Sequence, residues 1–280
     1  MTLVRLLHLA PLALAAGLAT APARAQFAQV DLDTPFVTTP ANVVGVMLDL
    51  ARVRPGERLI DLGSGDGRIV IEAAKRGANA LGVEIDPGLV ERSRELAQRA
   101  GVAALARFVT QDLFETDFSG ADVITMYLLP DVNAKLSPKL FATLKPGTRI
   151  VSHDYDLGGW PPDASLEVDA PDKPVSRDKR SRIFYWLVPA KIDGRWQGQG
   201  AGAPVQFEFA QQFQRVSGTV HWAGHAYAFA GKNIEGERLA IRIDSPGRAS
   251  LALDLKASDG VLAGQLREGD RAPVTVQARR

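Results

Sequence analysis

The stretch Leu59-Ile60-Asp61-Leu62-Gly63-Ser64-Gly65-Asp66-Gly67-Arg68 decides the fold. An apolar run, alternating glycines and a return to apolar residues read as a buried strand, a tight turn and the start of a helix. Glycine lets the backbone turn sharply and lets a ligand lie against bare N–H groups. A second apolar run, "ALGVEID", puts Glu84 at a strand end, where a carboxylate accepts from both hydroxyls of a ribose. Glycine turn and strand-end acid together define a site for a nucleoside-type cofactor. The G-x-G-x-G spacing, with Asp61 two residues ahead, favours S-adenosylmethionine over a dinucleotide. A dinucleotide asks for G-x-G-x-x-G, because its pyrophosphate sits at the helix N-terminus.

Outward from this stretch, strands and helices alternate. The strands are "RLIDL", "ANALGVEI", "ALARFVT", "ADVITMYLL" and "TRIVSHDY". The helices between them end at glycines: "RIVIEAAKRG" closes at Gly77 and "PGLVERSRELAQRAG" at Gly101, the latter capped by Asp86 ahead of Pro87. Ahead of the first strand, Thr39 is expected to cap a helix that has Pro40 at its first position and Val44, Met47, Leu48 and Ala51 on its buried face. In "PDVNAKLSPKLFATLKPG" the pair Ser137-Pro138 is expected to restart the helix. Alternating apolar strands and amphipathic helices imply a parallel sheet covered on both faces. "SLEVDA" and "RIFYWLVPA" read as a closing antiparallel pair, so the expected fold is α/β with a seven-stranded Rossmann-like sheet.

From about Lys191 the period changes to two, in "VQFEF", "LAIRI", "LALDL" and "VTV". This predicts a small all-β domain, a sandwich or barrel-like meander, over 191–280, after a leader over 1–25 and the α/β domain over 26–190. The leader reading rests on Arg5, a short Leu/Ala-rich run and Ala23-Arg24-Ala25, the layout of an export signal cleaved after Ala25. It predicts a periplasmic or secreted protein without a stable membrane span. A cytosolic or membrane-associated location stays open, because S-adenosylmethionine is a cytosolic compound.

With 46% hydrophobic and 23% charged residues the chain can bury a substantial core. The net charge of +1 gives no basic field for nucleic acid, so no nucleic-acid partner is expected. The absence of cysteine excludes disulfides, thiolate catalysis and zinc–thiolate sites. His221 and His225 lack a third ligand at a sensible spacing, so no metal is expected. The charged run "PDKPVSRDKRSR" reads as a solvated loop.

In a parallel sheet the ligand crevice lies at the C-terminal strand ends. Read in order, these supply Asp61, Gly63, Gly65 and Gly67 for the amino-acid part of the cofactor, and Glu84 for its ribose. Asp112 and Leu113, after Gln111, come next for the adenine; then Tyr127; then Ser152, His153 and Asp154. Any one of them alone reads as a turn, a cap or a strand end. Their shared edge and their order carry the argument.

The segments "DLGSGDGRIVIEAAKRG", "GVEIDPGLV", "DLF", "YLLPDVNAKLSPKL" and "LKPGTRIVSHDYDLGGW" resemble the ATP synthase c-subunit lysine methyltransferase family and its bacterial relatives. The likeness spans about Thr34 to Pro189 and stops before the β-rich tail. It implies a class I methyltransferase sheet, S-adenosylmethionine as cofactor, and methyl transfer to a lysine of a protein partner. "PFVTTP" matches a motif whose threonine and proline line the cofactor pocket, which adds Thr39 to the cofactor residues. On this reading Tyr127 forms an aromatic channel for the neutral amine, and His153 or Asp154 orients it or relays its proton. The residues leave two other functions open: methylation of a small molecule or lipid-linked species, and an exported binding protein that keeps the fold without the chemistry.

Overall fold

The computed structural model describes residues 36–175 and 177–280; the leader and its cleavage site after Ala25 lie outside the described residues. Helix α1 (Ala41–Leu50) buries Val43, Val44, Met47 and Leu48. Its N-cap is Pro40, and no side chain caps it. The expected Thr39 cap is therefore corrected: the Thr39 hydroxyl faces His153 Nδ1 at 3.1 Å instead. Both residues are buried. A buried ring nitrogen has no water to replace a lost partner, whereas a helix end often does.

Strands β1 (Arg58–Leu62), β2 (Asn79–Glu84), β3 (Ala106–Thr110), β4 (Val123–Met126) and β5 (Arg149–His153) pair in parallel. Helices α2 (Arg68–Lys75), α3 (Pro87–Arg99) and α4 (Pro130–Thr143) make crossovers between them. Strands β6 (Ala164–Asp169) and β7 (Arg180–Leu187) close the sheet antiparallel, giving the order β3-β2-β1-β4-β5-β7-β6. Alternate residues of the strands feed two cores: Leu59, Val123 and Val151 pack with α1, α2 and α3, and Ile60, Ile124 and Ile150 pack with α4. The strand order reverses between β1 and β4, and that reversal opens the crevice in which ligands bind.

Asp86 caps α3 as expected, accepting from Gly88 N at 2.7 Å and Leu89 N at 3.3 Å. Pro138, by contrast, does not restart a helix but lies inside α4. It costs the helix one backbone hydrogen bond, which burial of Asn133, Leu136, Ser137 and Leu140 along one face outweighs.

The tail forms a second sheet of eight antiparallel strands: β8 (Gly194–Gly200), β9 (Ala203–Gln212), β10 (Arg215–Trp222), β11 (His225–Asn233), β12 (Arg238–Ile243), β13 (Leu251–Ser258), β14 (Val261–Glu268) and β15 (Val274–Arg279). Their order is β11-β10-β9-β8-β15-β14-β13-β12. The sheet rolls into a nearly closed barrel: Tyr227 on β11 reaches Glu268 on β14, donating to its Oε1 at 2.8 Å. Val205, Phe207 and Phe209 share its core with Leu239, Ile241 and Ile243, as their alternation predicts. His221 and His225 are exposed on this barrel. Among the described residues no helix is long and apolar enough to cross a membrane.

Candidate functional site

The glycine turn after β1 is anchored by Gly63 N and Ser64 N, which donate to Val83 O at 2.9 and 3.0 Å. Gly65 has φ 55° and Gly67, the N-cap of α2, has φ 77°. Side chains are strained at such angles, and a Cβ at Gly67 would also stand 2.5 Å from the ring of Phe108. Over the turn lie the side chains of Phe36 at Gly65 and Leu128 at Gly63. Glu84 stands beside it, accepting from Gly65 N at 2.9 Å and, through its other oxygen, from Ile85 N at 2.8 Å and Asp86 N at 3.1 Å.

Asp61 is buried behind this turn and accepts from the Thr125 hydroxyl at 2.7 Å. Burial pushes its carboxyl from 3.8 up to about 7; the Thr125 bond opposes this, while the Glu84 and Asp66 carboxylates add to it. Asp66 behaves differently. Burial alone would raise it, but two bonds from Arg68, at 2.9 and 2.7 Å, hold it below the usual range. Arg68 also donates to Thr39 O at 2.8 Å and so ties the opening segment to the turn. Among the described residues no cation pairs with Asp61. A buried carboxylate with no cation on it, beside a glycine turn roofed by Phe36 and Leu128 and a strand-end glutamate, fits a ligand with a cationic amino-acid part and a ribose.

The raised Asp61 pKa fixes a sign for stability. Between about pH 4 and about pH 7 the folded chain holds a proton that the unfolded chain has lost, so stability falls as pH rises through this window and levels off above it. Thermal unfolding is expected to find Asp61→Asn more stable than the parent at about pH 8, with the gap closing by about pH 4. A gap that widens toward acid contradicts this.

At the fourth and fifth strand ends a second cluster forms. The Tyr127 hydroxyl donates to Asp154 Oδ2 at 3.1 Å, and its ring lies 3.9 Å from that of His153 and 6.4 Å from Tyr155. Burial first, and the Asp154 charge second, push the Tyr127 phenol above its ordinary pKa, so it keeps its proton. His153 is fully buried, with Nδ1 on Thr39 and Nε2 on the Ser181 hydroxyl at 2.8 Å. Burial holds its pKa down at about 4, so it is neutral at pH 7, with its ring against that of Tyr127. Asp154, at φ 62°, is held by its own backbone N donating to Arg182 O at 2.6 Å and by Arg182 N donating to Oδ1 at 3.1 Å.

The main surprise is Lys173. It comes from the loop read as solvated, yet it is buried, and its Nζ lies 2.8 Å from Asp154 Oδ2 and 3.0 Å from Oδ1. Its sequence setting, Pro171-Asp172-Lys173-Pro174, gives no sign of burial. Ser181 and Arg182, further along, also carried no recognisable sign. Asp112 and Leu113 fall at the third strand end, joined to the second by Gln111 N donating to Glu84 O at 2.9 Å. There Asp112 Oδ1 caps the 3-10 turn Leu113–Glu115 through Phe114 N at 2.8 Å. No bond links Asp112 to the other site residues among those described, so it stands apart from both clusters.

A parallel sheet carrying this glycine turn, and these acids at successive strand ends, is the framework of a class I methyltransferase that uses S-adenosylmethionine. The profile of the ANTKMT methyltransferase domain matches residues 61–164. A protein-lysine N-methyltransferase of Saccharolobus islandicus is 44% identical over 137 residues, 48% of this chain and 85% of that protein. The ATP synthase c-subunit lysine N-methyltransferase of Mus musculus is 39% identical over 129 residues, 46% of this chain and 52% of that protein. The crystal structure of an RNA methyltransferase from Salinibacter ruber in complex with S-adenosyl-L-homocysteine is 48% identical, with a TM-score of 0.51 over 56% of this chain and 96% of that one. The chain belongs to the ANTKMT methyltransferase family and is an S-adenosylmethionine-dependent methyltransferase. It spans about half the length of the mouse relative, and the barrel lies beyond the matched domain.

Proposed function

We propose that the chain N-methylates a lysine of a protein acceptor, with the Tyr127–Asp154–Lys173 cluster on the acceptor side. The observation that carries this is the ion pair between Asp154 and Lys173 beside the Tyr127 hydroxyl. On this reading Asp61, Gly63, Gly65, Gly67 and Glu84 hold the cofactor, with Thr39 beside them and Asp112 and Leu113 toward the adenine. Bound there, S-adenosylmethionine supplies an electrophilic methyl group on a cationic sulfur.

The chain's own residues must present a neutral amine. With a pKa of about 10.4, a free lysine is neutral in roughly one part in 2,500 at pH 7, a cost of about 4.6 kcal/mol. A bare carboxylate next to the amine would raise that cost by favouring the ammonium. Lys173 offsets the Asp154 charge, so the cluster offers hydrogen-bond acceptors with little net charge. The Tyr127 hydroxyl donates its hydrogen bond to Asp154 and stays protonated, and its oxygen keeps lone pairs that accept from the amine N–H. Holding the amine in line supplies most of the acceleration.

The names of the Saccharolobus and mouse relatives support a lysine acceptor; the Salinibacter protein, an RNA methyltransferase, favours RNA as a second reading. The net charge of +1 speaks against RNA. Incubation of the full chain with methyl-labelled S-adenosylmethionine and a cell extract, followed by separation of protein from nucleic acid, tests the two. Label in the protein fraction is the expected result; label in RNA alone overturns the proposal.

A further inference from the structure

Four hairpins of the second sheet turn on two residues. Three of these turns are Ala201-Gly202, Ala223-Gly224 and Asp259-Gly260, all six residues at positive φ with glycine second. That is the choice two-residue hairpins favour. The turn between β9 and β10 is Phe213-Gln214, with Phe213 at φ 52° and no glycine. A bulky aromatic in the left-handed region is an outlier, and it persists only where surrounding contacts hold it.

Within the barrel the backbone of the turn is held by Gln211 Nε2 donating to Phe213 O at 2.7 Å and Ile234 N donating to Gln214 O at 2.8 Å, while its side chains reach the methyltransferase domain. The Phe213 ring stacks on Trp160 at 5.3 Å and 6°, and meets Phe141 of α4 edge-on at 5.2 Å. Gln214, itself buried, accepts from Trp160 Nε1 at 3.0 Å and donates to Pro161 O at 2.7 Å and Asp163 Oδ1 at 3.2 Å. Trp160 and Leu157 are fully buried within the segment 154–163 that joins β5 to β6. This segment begins with Asp154 and Tyr155, the residues beside Tyr127. At that same end Asn133 of α4 donates to Tyr155 O at 3.1 Å and Asp156 O at 3.0 Å.

We propose that the Phe213-Gln214 turn is a positioning element for methyl transfer, by which the barrel braces segment 154–163 and so holds Asp154 and Tyr155 at the acceptor side of the site. The turn gives up the favoured glycine because both of its side chains are committed to the brace. Its side-chain contacts run to the segment that carries Asp154 and to α4, and among the described residues none runs to Asp61, the glycine turn or Glu84. The brace therefore acts on transfer and not on cofactor binding. This rests on the reading of Tyr127 and Asp154 as the acceptor side.

The test uses the full chain carrying Phe213→Ala and Gln214→Gly together, which gives this hairpin the Ala-Gly pair of two of its neighbours and so spares the barrel. Amide hydrogen exchange across residues 155–160 is expected to speed up at least about tenfold as the segment opens locally. Calorimetric affinity for S-adenosylhomocysteine should stay within about twofold, while kcat on a poly-lysine peptide falls about 100-fold. Phe213→Tyr, which keeps the ring, should retain the parent's rate and exchange. Exchange at the parent's level in the double variant overturns the brace, and so does a parallel loss of cofactor affinity. A parent chain inactive on lysine counts against the lysine reading alone, because exchange and affinity need no acceptor.

Discussion

Replacing Glu84 with alanine is expected to abolish cofactor binding while leaving the fold in place. Two effects add. The carboxylate is the acceptor for Gly65 N, Ile85 N and Asp86 N, so its removal unties the glycine turn from the end of β2. On the proposed cofactor placement the two ribose hydroxyls also lose a charged acceptor, each such bond being worth about 1.5–3 kcal/mol. The affinity for S-adenosylhomocysteine should fall by about 1,000-fold, read by calorimetry. Glu84→Gln keeps one acceptor oxygen and should fall between parent and alanine. Glu84 is only part-buried at the sheet edge, so circular dichroism should be unchanged. Parental affinity in Glu84→Ala would move the cofactor away from this edge.

The second large effect falls on the acceptor side. Tyr127→Phe keeps the ring against His153 and Tyr155 but removes the hydroxyl that donates to Asp154. Cofactor affinity should hold within about twofold while kcat drops about 100-fold, the scale of a misplaced reacting group. The contrast with Glu84 is the useful part. One residue should move affinity, the other turnover. Loss of cofactor affinity in Tyr127→Phe would mean that the tyrosine belongs to the cofactor pocket.

Much of the α/β sheet was legible because its signals are local. Apolar strands, glycine stops and the Asp86 cap each act within a few residues. The position of the candidate residues at the strand ends was legible for a related reason: a parallel sheet brings its strand ends to one edge whatever the loops do. What escaped the sequence is tertiary. Thr39 beside Pro40 reads as a cap, yet its partner is His153, 114 residues away. Lys173 sits in a run of charges that looks solvated, and only the turn of the chain after β5 brings Asp154 onto it.

The barrel was half legible. Strands such as Val205, Phe207 and Phe209 alternate cleanly, but β8, Gly194–Gly200, does not. A Cβ at Gly198 would stand 1.9 Å from Gln277 O, so the close approach of β15 demands a glycine where the alternation would show an apolar residue. The packing requirement erases the pattern that would have announced the strand. The Phe213-Gln214 turn is the converse case: its sequence lacks turn chemistry because its side chains serve the neighbouring domain.

The most direct test of the account is the identity of the atom that receives the methyl group. The full chain, methyl-labelled S-adenosylmethionine and an accepting protein fraction are incubated, and the product is hydrolysed to amino acids and resolved by mass spectrometry. The expected result is label on N-methylated lysine, and its loss in Tyr127→Phe. Label on any other residue, or on nucleic acid with none on lysine, would contradict it.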